Sequence, residues 1–117
     1  MPSLLDAIIQ RESGGNPLAI SKDKGARGLG QIRKPALDEY NTRFKTDYTL
    51  DDMEDAGTNK KVASWYLDTR IPEMLKATKT PVTTENVISS YRLGAGAVSR
   101  GKQDKGYVAD VLRLWEK

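Results

Sequence analysis

Five of the chain's ten glycines fall between Gly14 and Gly30, in the segment GGNPLAISKDKGARGLG. No helix interior or regular strand tolerates that density of glycine together with Pro17. The segment must therefore be a tightly turned loop or a small hairpin, and it separates the apolar pattern before it from the pattern after it. Loops this long are uncommon in compact domains unless they carry a function.

The flanking sequence reads as helix. Leu4, Leu5, Ile8 and Ile9 repeat at the spacing of one helical face, which predicts a helix over residues 3–13. Ser3 can cap it, Asp6 holds the acidic position of a capping box, and Gly14 and Gly15 end it. Helical spacing returns over 35–44 with Leu37, Tyr40 and Phe44, and over about 59–70 with Val62, Ala63, Trp65, Tyr66 and Leu67. Pro72 is expected to break or restart that helix before EMLKATK. Thr84 and Glu85 open another helix, with Val87, Ile88 and Tyr91 inward, and LGAGAVSRG closes it. A last helix over about 104–115 carries Tyr107, Val108, Val111, Leu112 and Trp115 on one face. Alternating strand patterns are scarce. The expected fold is mainly α, with about five to seven helices and at most a small β-hairpin in the glycine-rich loop. A chain of 117 residues suits a single domain over 1–117.

Cysteine and histidine are absent, which removes disulfides, thiolate nucleophiles, Cys/His zinc sites and histidine triads. Acid–base chemistry then falls to Asp, Glu, Tyr or Lys, and no metal or cofactor is expected. The net charge of +3 favours an anionic partner, either nucleic acid or a bacterial cell wall. Lys22, Lys24, Arg27, Arg33 and Lys34 cluster, but 16 acidic residues stand against 19 basic ones and no nucleic-acid-reading motif is present. Nucleic acid is therefore not an expected partner. No stretch is long enough to insert into a membrane, and MPSLLDAIIQ makes a poor secretory signal.

Glu12 stands out. It lies one turn beyond Ile8, in line with the apolar stripe, at the C-terminal end of the first helix. Desolvation and the helix dipole there both disfavour its charge, so a raised pKa is expected. A carboxylic acid kept protonated near neutral pH is what protonation of a glycosidic oxygen requires. Against this stands a frayed last turn whose glutamate simply reaches water.

The segment RESGGNPLAISKDKGARGLGQI resembles the signature of the soluble lytic transglycosylases and the related goose-type lysozymes. Glu12, Ser13, Gly14, Asn16, Pro17, Ser21, Gly25, Ala26, Gly28, Leu29, Gln31 and Ile32 fall in the family's order. SYRLGAG over 90–96 is similar to its Ala-Tyr-Asn-x-Gly-x-Gly turn, DAGTNKKVASWYLDTRI to the helix before it, and Tyr107-Val108 to its late Tyr-Val. The resemblance covers nearly the whole chain. It implies a lysozyme-like domain that cleaves the β-1,4 bond between N-acetylmuramic acid and N-acetylglucosamine, with peptidoglycan glycan strands as partner. It also implies Glu12 as the single acid/base, with the muramoyl 6-hydroxyl as nucleophile and a 1,6-anhydro end as product.

The same resemblance makes Ser13, Gly30, Gln31, Tyr91 and Tyr107 candidates for substrate binding. The hydroxyl of Tyr91 is expected to face the cleft near Glu12. Four of them have a plainer reading: a hydroxyl bonding its own helix for Ser13, turn geometry for Gly30, core packing for both tyrosines. Trp65 and Trp115 read as core residues rather than sugar platforms. The chain departs from the family at Gly30, where Met is frequent, and at Lys34, where Pro is. It departs again at Arg92, which replaces the usual Asn after Tyr91 and could hold a peptide-stem carboxylate.

Two other functions compete. A hydrolytic lysozyme would need a base for water, and Asp23, between two lysines, is the nearby candidate. A non-catalytic peptidoglycan-binding or structural domain would have no need of Glu12 in the stripe. Small size and the absence of a visible signal suggest a virion-associated or phage-delivered protein, or a domain of a larger one, acting on the cell wall in the periplasm as a monomer.

Overall fold

Ser3 opens the first helix of the computed structural model, which describes residues 2–117. Its hydroxyl accepts from the Asp6 amide at 3.0 Å, and the Asp6 carboxylate accepts from the Ser3 amide at 3.1 Å. The expected capping box therefore forms. Helix α1 runs Leu4–Ser13 and ends at Gly14, which takes the left-handed conformation at φ 62°.

The glycine-rich segment folds back on itself. Strand β1 (Ala26–Arg27) pairs antiparallel with β2 (Ile32–Arg33), with Ala26 opposite Arg33 and Arg27 opposite Ile32. Ile20 adds a bridge to Arg27. Helix α2 (Lys34–Phe44) leaves β2 directly, with Pro35 in its first turn where a missing N–H costs nothing. A 3-10 turn at Asp51–Glu54 leads to helix α3 (Ala56–Trp65), capped by the Asp55 carboxylate on the Thr58 amide.

The chain does not break at Pro72. Residues Tyr66–Arg70 form a π-helical turn that runs straight into helix α4 (Ile71–Ala77), and the backbone at Arg70 and Ile71 stays helical. The Ile71 amide donates to the Tyr66 carbonyl, five residues back. A proline has no N–H to give and its ring crowds the carbonyl four residues earlier. Widening the preceding turn relieves both problems without ending the helix.

Helix α5 (Thr84–Leu93) starts on the Thr83 hydroxyl and stops at Gly94. The stretch expected only to close it contains a short helix of its own, α6 (Ala95–Ser99). Helix α7 (Lys105–Trp115) starts on the Asp104 carboxylate. The architecture is mainly α with one small hairpin, as the pattern predicted.

Three buried clusters hold these pieces together. Ile8, Leu67, Ile88, Val108 and Val111 join α1, α5 and α7 to the π turn. Ile32, Leu37, Met53, Val62 and Ala63 seat the hairpin on α2 and α3. Ile71, Leu75, Ala95 and Val98 join α4 to α6. Each large side chain among them contributes about 1.5–3 kcal/mol through burial. Trp65 and Trp115 pack against the second and first clusters. Phe44, on the same side of α2 as Leu37 and Tyr40, lies half-exposed at the helix end with its ring 4.5 Å from that of Tyr40. Among the described residues no helix is long and apolar enough to cross a membrane.

Candidate active site

The carboxyl group of Glu12 emerges from the last turn of α1, half-buried, and is met there by α7. The Tyr107 hydroxyl donates to Glu12 Oε2 at 2.7 Å across 95 residues of sequence. The Asp104 carboxylate that caps α7 accepts from the Tyr107 amide at 3.0 Å. One short polar contact thus starts the helix and also fixes the residue that reaches Glu12. The Tyr107 ring is 2% exposed. The guanidinium groups of Arg11 and Arg92 lie 5.3 and 5.8 Å from its centre.

Glu12 lines a cleft of about 320 Å³. The hairpin supplies Ser21, Gln31 and Arg33 to it, and the facing helices supply Tyr66, Tyr91 and Arg92. Among the described residues Glu12 is the only carboxylate in the lining. No cluster of three metal-ligating side chains occurs among them.

The hairpin wall is held from two sides. Asn59 of α3 is fully buried and uses its whole amide group. Its Nδ2 donates to the Arg27 and Met53 carbonyls at 3.0 and 2.9 Å, and its Oδ1 accepts from the Gly30 amide at 2.9 Å. From α5 the Tyr91 hydroxyl donates to the Gly30 carbonyl at 2.7 Å. Gly28 sits at φ 76°, and a Cβ there would fall 2.1 Å from the Met53 carbonyl oxygen. Only glycine allows the hairpin to approach α3 this closely.

These contacts sort the predicted site residues. Glu12, Gln31 and Tyr91 come together at the cleft. Tyr91 lines it with Glu12, and its hydroxyl, expected to face the cleft, donates to the Gly30 carbonyl. Gln31 also faces the cleft, and its Nε2 is spent on the Ala19 and Gly28 carbonyls. Tyr107 touches Glu12 directly from behind. Gly30 is buried under Tyr91, with the Tyr91 hydroxyl 2.7 Å from where its Cβ would be. The missing methionine side chain therefore leaves no gap in the floor. Ser13 follows its plainer reading: its hydroxyl donates to the Ile9 carbonyl at 3.0 Å and accepts from the Gly15 amide at 3.2 Å.

The three tyrosines at the site are shifted in the same direction. Burial pushes Tyr91 far up from the ordinary tyrosine value, with the charge of Glu12 adding to it. Tyr107 is likewise pushed up by burial, by the charge of Glu12 and by their hydrogen bond. Burial raises Tyr66 as well. Asp23 behaves in the opposite way. The Ser21 hydroxyl, the Gly25 amide and the Arg33 guanidinium, at 2.6, 3.0 and 3.0 Å, hold its carboxyl well below the usual carboxylate range.

Asn59 and Tyr66 were not among the predicted site residues. Asn59 had a signal: a polar side chain one turn before Val62 and Ala63, in the apolar stripe of its helix. Tyr66 had none, because the π turn that swings it toward the cleft leaves no mark in the periodicity. Its ring meets that of Tyr91 edge-on at 5.7 Å.

Comparison with known proteins gives a consistent family. The model of the transglycosylase SLT domain matches residues 1–111. An endo-type membrane-bound lytic murein transglycosylase A from Klebsiella pneumoniae is 36% identical over 104 residues, 85% of this chain and 50% of the relative. The proteins of the same description from Salmonella enteritidis and Cronobacter sakazakii are 34% and 32% identical over 103 residues, with the same coverage. The chain thus spans about half the length of the curated relatives it matches. No solved structure matches it. With the domain model covering all but the last six residues, the chain belongs to the transglycosylase SLT domain family.

Proposed function

We propose that this chain is a peptidoglycan lytic transglycosylase that cleaves the β-1,4 bond between N-acetylmuramic acid and N-acetylglucosamine, with Glu12 as its one acid/base. The observation that carries the reading is a cleft with a single carboxylate, anchored on one oxygen by Tyr107. Oε2 accepts from the Tyr107 hydroxyl, so the proton to be delivered resides on Oε1. Oε1 protonates the leaving glycosidic oxygen as the bond to the anomeric carbon breaks. The resulting carboxylate then takes the proton of the muramoyl 6-hydroxyl as that oxygen attacks the same carbon. The sugar closes to a 1,6-anhydro ring, Glu12 is protonated again, and no water is consumed.

A hydrolytic course would need a second base on the opposite face of the sugar. Asp23 suits that role poorly. Its carboxylate is occupied by three donors and does not line the cleft. Gln31 Nε2 and the Ser21 hydroxyl are spent within the loop, and Gln31 Oε1 remains as a neutral acceptor for the amides and hydroxyls of the glycan.

Digestion of purified peptidoglycan, read by mass spectrometry, tests the assignment. The wild type is expected to release anhydro-muropeptides, and Glu12→Gln, a near-isosteric change, to fold and release almost none. Reducing-end products, heavier by one water, would refute the transglycosylase course. Full turnover by Glu12→Gln would refute the acid.

A further inference from the structure

Two guanidinium groups line the cleft, and they are not equivalent. Arg33 is engaged: its Nη1 donates to Asp23 at 3.0 Å, so its charge is already matched. Arg92 is paired more loosely. Its Nε forms an ion pair with Asp104 Oδ2 at 3.7 Å, beyond hydrogen-bond reach, so its N–H donors stay free, and the side chain is 48% exposed. The other oxygen of Asp104, Oδ1, accepts from the Tyr107 amide at the start of α7. Arg92 leans on the face of the Tyr107 ring, which orients the guanidinium without using its N–H donors. The cleft therefore presents a charged fork with spare donors close to Tyr107 and Glu12.

A chain of N-acetylated sugars carries no charge that would need such a group. The peptide borne by the muramoyl unit does, because any peptide stem brings carboxylates. We propose that Arg92 is a specificity residue that captures a stem-peptide carboxylate in a two-pronged hydrogen bond while the muramoyl unit occupies the cleft. This rests on the reading of the cleft as a peptidoglycan site.

The test uses soluble muropeptide tetrasaccharides whose stem carboxylates are either free or converted to carboxamides. The wild type is expected to show a KM roughly tenfold lower for the free carboxylates, the scale of one partly screened charge-assisted hydrogen bond. Arg92→Gln should raise KM on the free form by about that factor, leave kcat in place, and leave the amidated form unaffected. Arg92→Lys should recover part of the preference, because an ammonium is a point charge without the fork. Lys76→Gln removes the same charge from an exposed residue outside the cleft and should change neither constant. Arg92→Gln with the wild-type preference intact would overturn the assignment, as would a wild type with no preference. A purely structural role for Arg92 would move both substrates together, and that result also overturns it. No cleavage of either substrate by the wild type would instead overturn the underlying reading, and this inference with it.

Discussion

Tyr107→Phe isolates the one hydrogen bond that the Glu12 side chain makes among the described residues. The substitution removes a single oxygen and keeps a ring that is 2% exposed among α1, α5 and α7, so no cavity forms. The loss is the 2.7 Å hydrogen bond to Oε2. A hydrogen bond to a charged group contributes about 1.5–3 kcal/mol, and the half-burial of Glu12 places this one toward the lower end. If the bond matters most when the carboxylate is fully charged, between the two proton transfers, the loss falls on the barrier. At about 1.4 kcal/mol per factor of ten, kcat should drop roughly ten- to thirtyfold with KM little changed. Folding stability should fall by no more than about 1.5 kcal/mol, which thermal unfolding reads as a shift of a few degrees. The assay pairs the release of soluble fragments from peptidoglycan with thermal denaturation of the same preparation. A variant whose kcat stays within a factor of two of the wild type would refute the role of Tyr107 as the residue that positions Glu12. A loss of activity matched by an equal rise in the unfolded fraction would do so too.

Two further outcomes test the site's framework. Gly28→Ala should cost about 3 kcal/mol or more, because its Cβ would press on the Met53 carbonyl and the Asn59 amide at a positive φ. Gly14→Ala, also at positive φ but with open space around it, should cost only about 1–2 kcal/mol in urea unfolding; similar costs at the two sites would show that packing of the hairpin is not what selects Gly28. The raised tyrosines set a pH dependence. Below the ordinary value of 10.0 both the folded and the unfolded chain keep these protons and the stabilisation is fully present. Above it the unfolded chain releases them while the folded chain does not, so stability falls as pH rises, by up to about 1.4 kcal/mol per pH unit for each tyrosine. The Tyr91→Phe/Tyr107→Phe double variant should show a correspondingly flatter decline between roughly pH 10 and 11 in urea titrations; parallel curves would mean that neither hydroxyl is shielded.

What the sequence disclosed depended on how local the cause was. The start of α1 was legible because Ser3 and Asp6 stand three residues apart and bond each other. The hairpin was legible because glycine density excludes the alternatives. The run from α3 into α4 was misread because a π turn absorbs Pro72, and such an insertion shifts every later side chain without altering composition. Tyr91 and Tyr107 were both legible as core residues, and their rings do pack in the core. Their hydroxyl partners, Gly30 and Glu12, lie 61 and 95 residues away, where periodicity carries no information. Asn59 was legible in principle: an amide in an apolar stripe needs partners, and the turned backbone of the hairpin offers them.

The same difference in range explains how Glu12 is set up. From local sequence only the influences that disfavour a charge at this position are visible, namely the C-terminal end of α1 and the neighbouring apolar stripe. The contact that reaches it from afar is the Tyr107 hydroxyl of α7, which bonds one carboxylate oxygen. In the proposed reaction the work divides between the two oxygens. Oε2 is anchored by a donor that burial keeps protonated, while Oε1 takes no hydrogen bond from the described residues and is left to the substrate. That division is why the two substitutions at this contact should part company. Glu12→Gln removes the transferable proton and should abolish the reaction, whereas Tyr107→Phe removes only the anchor and should slow it.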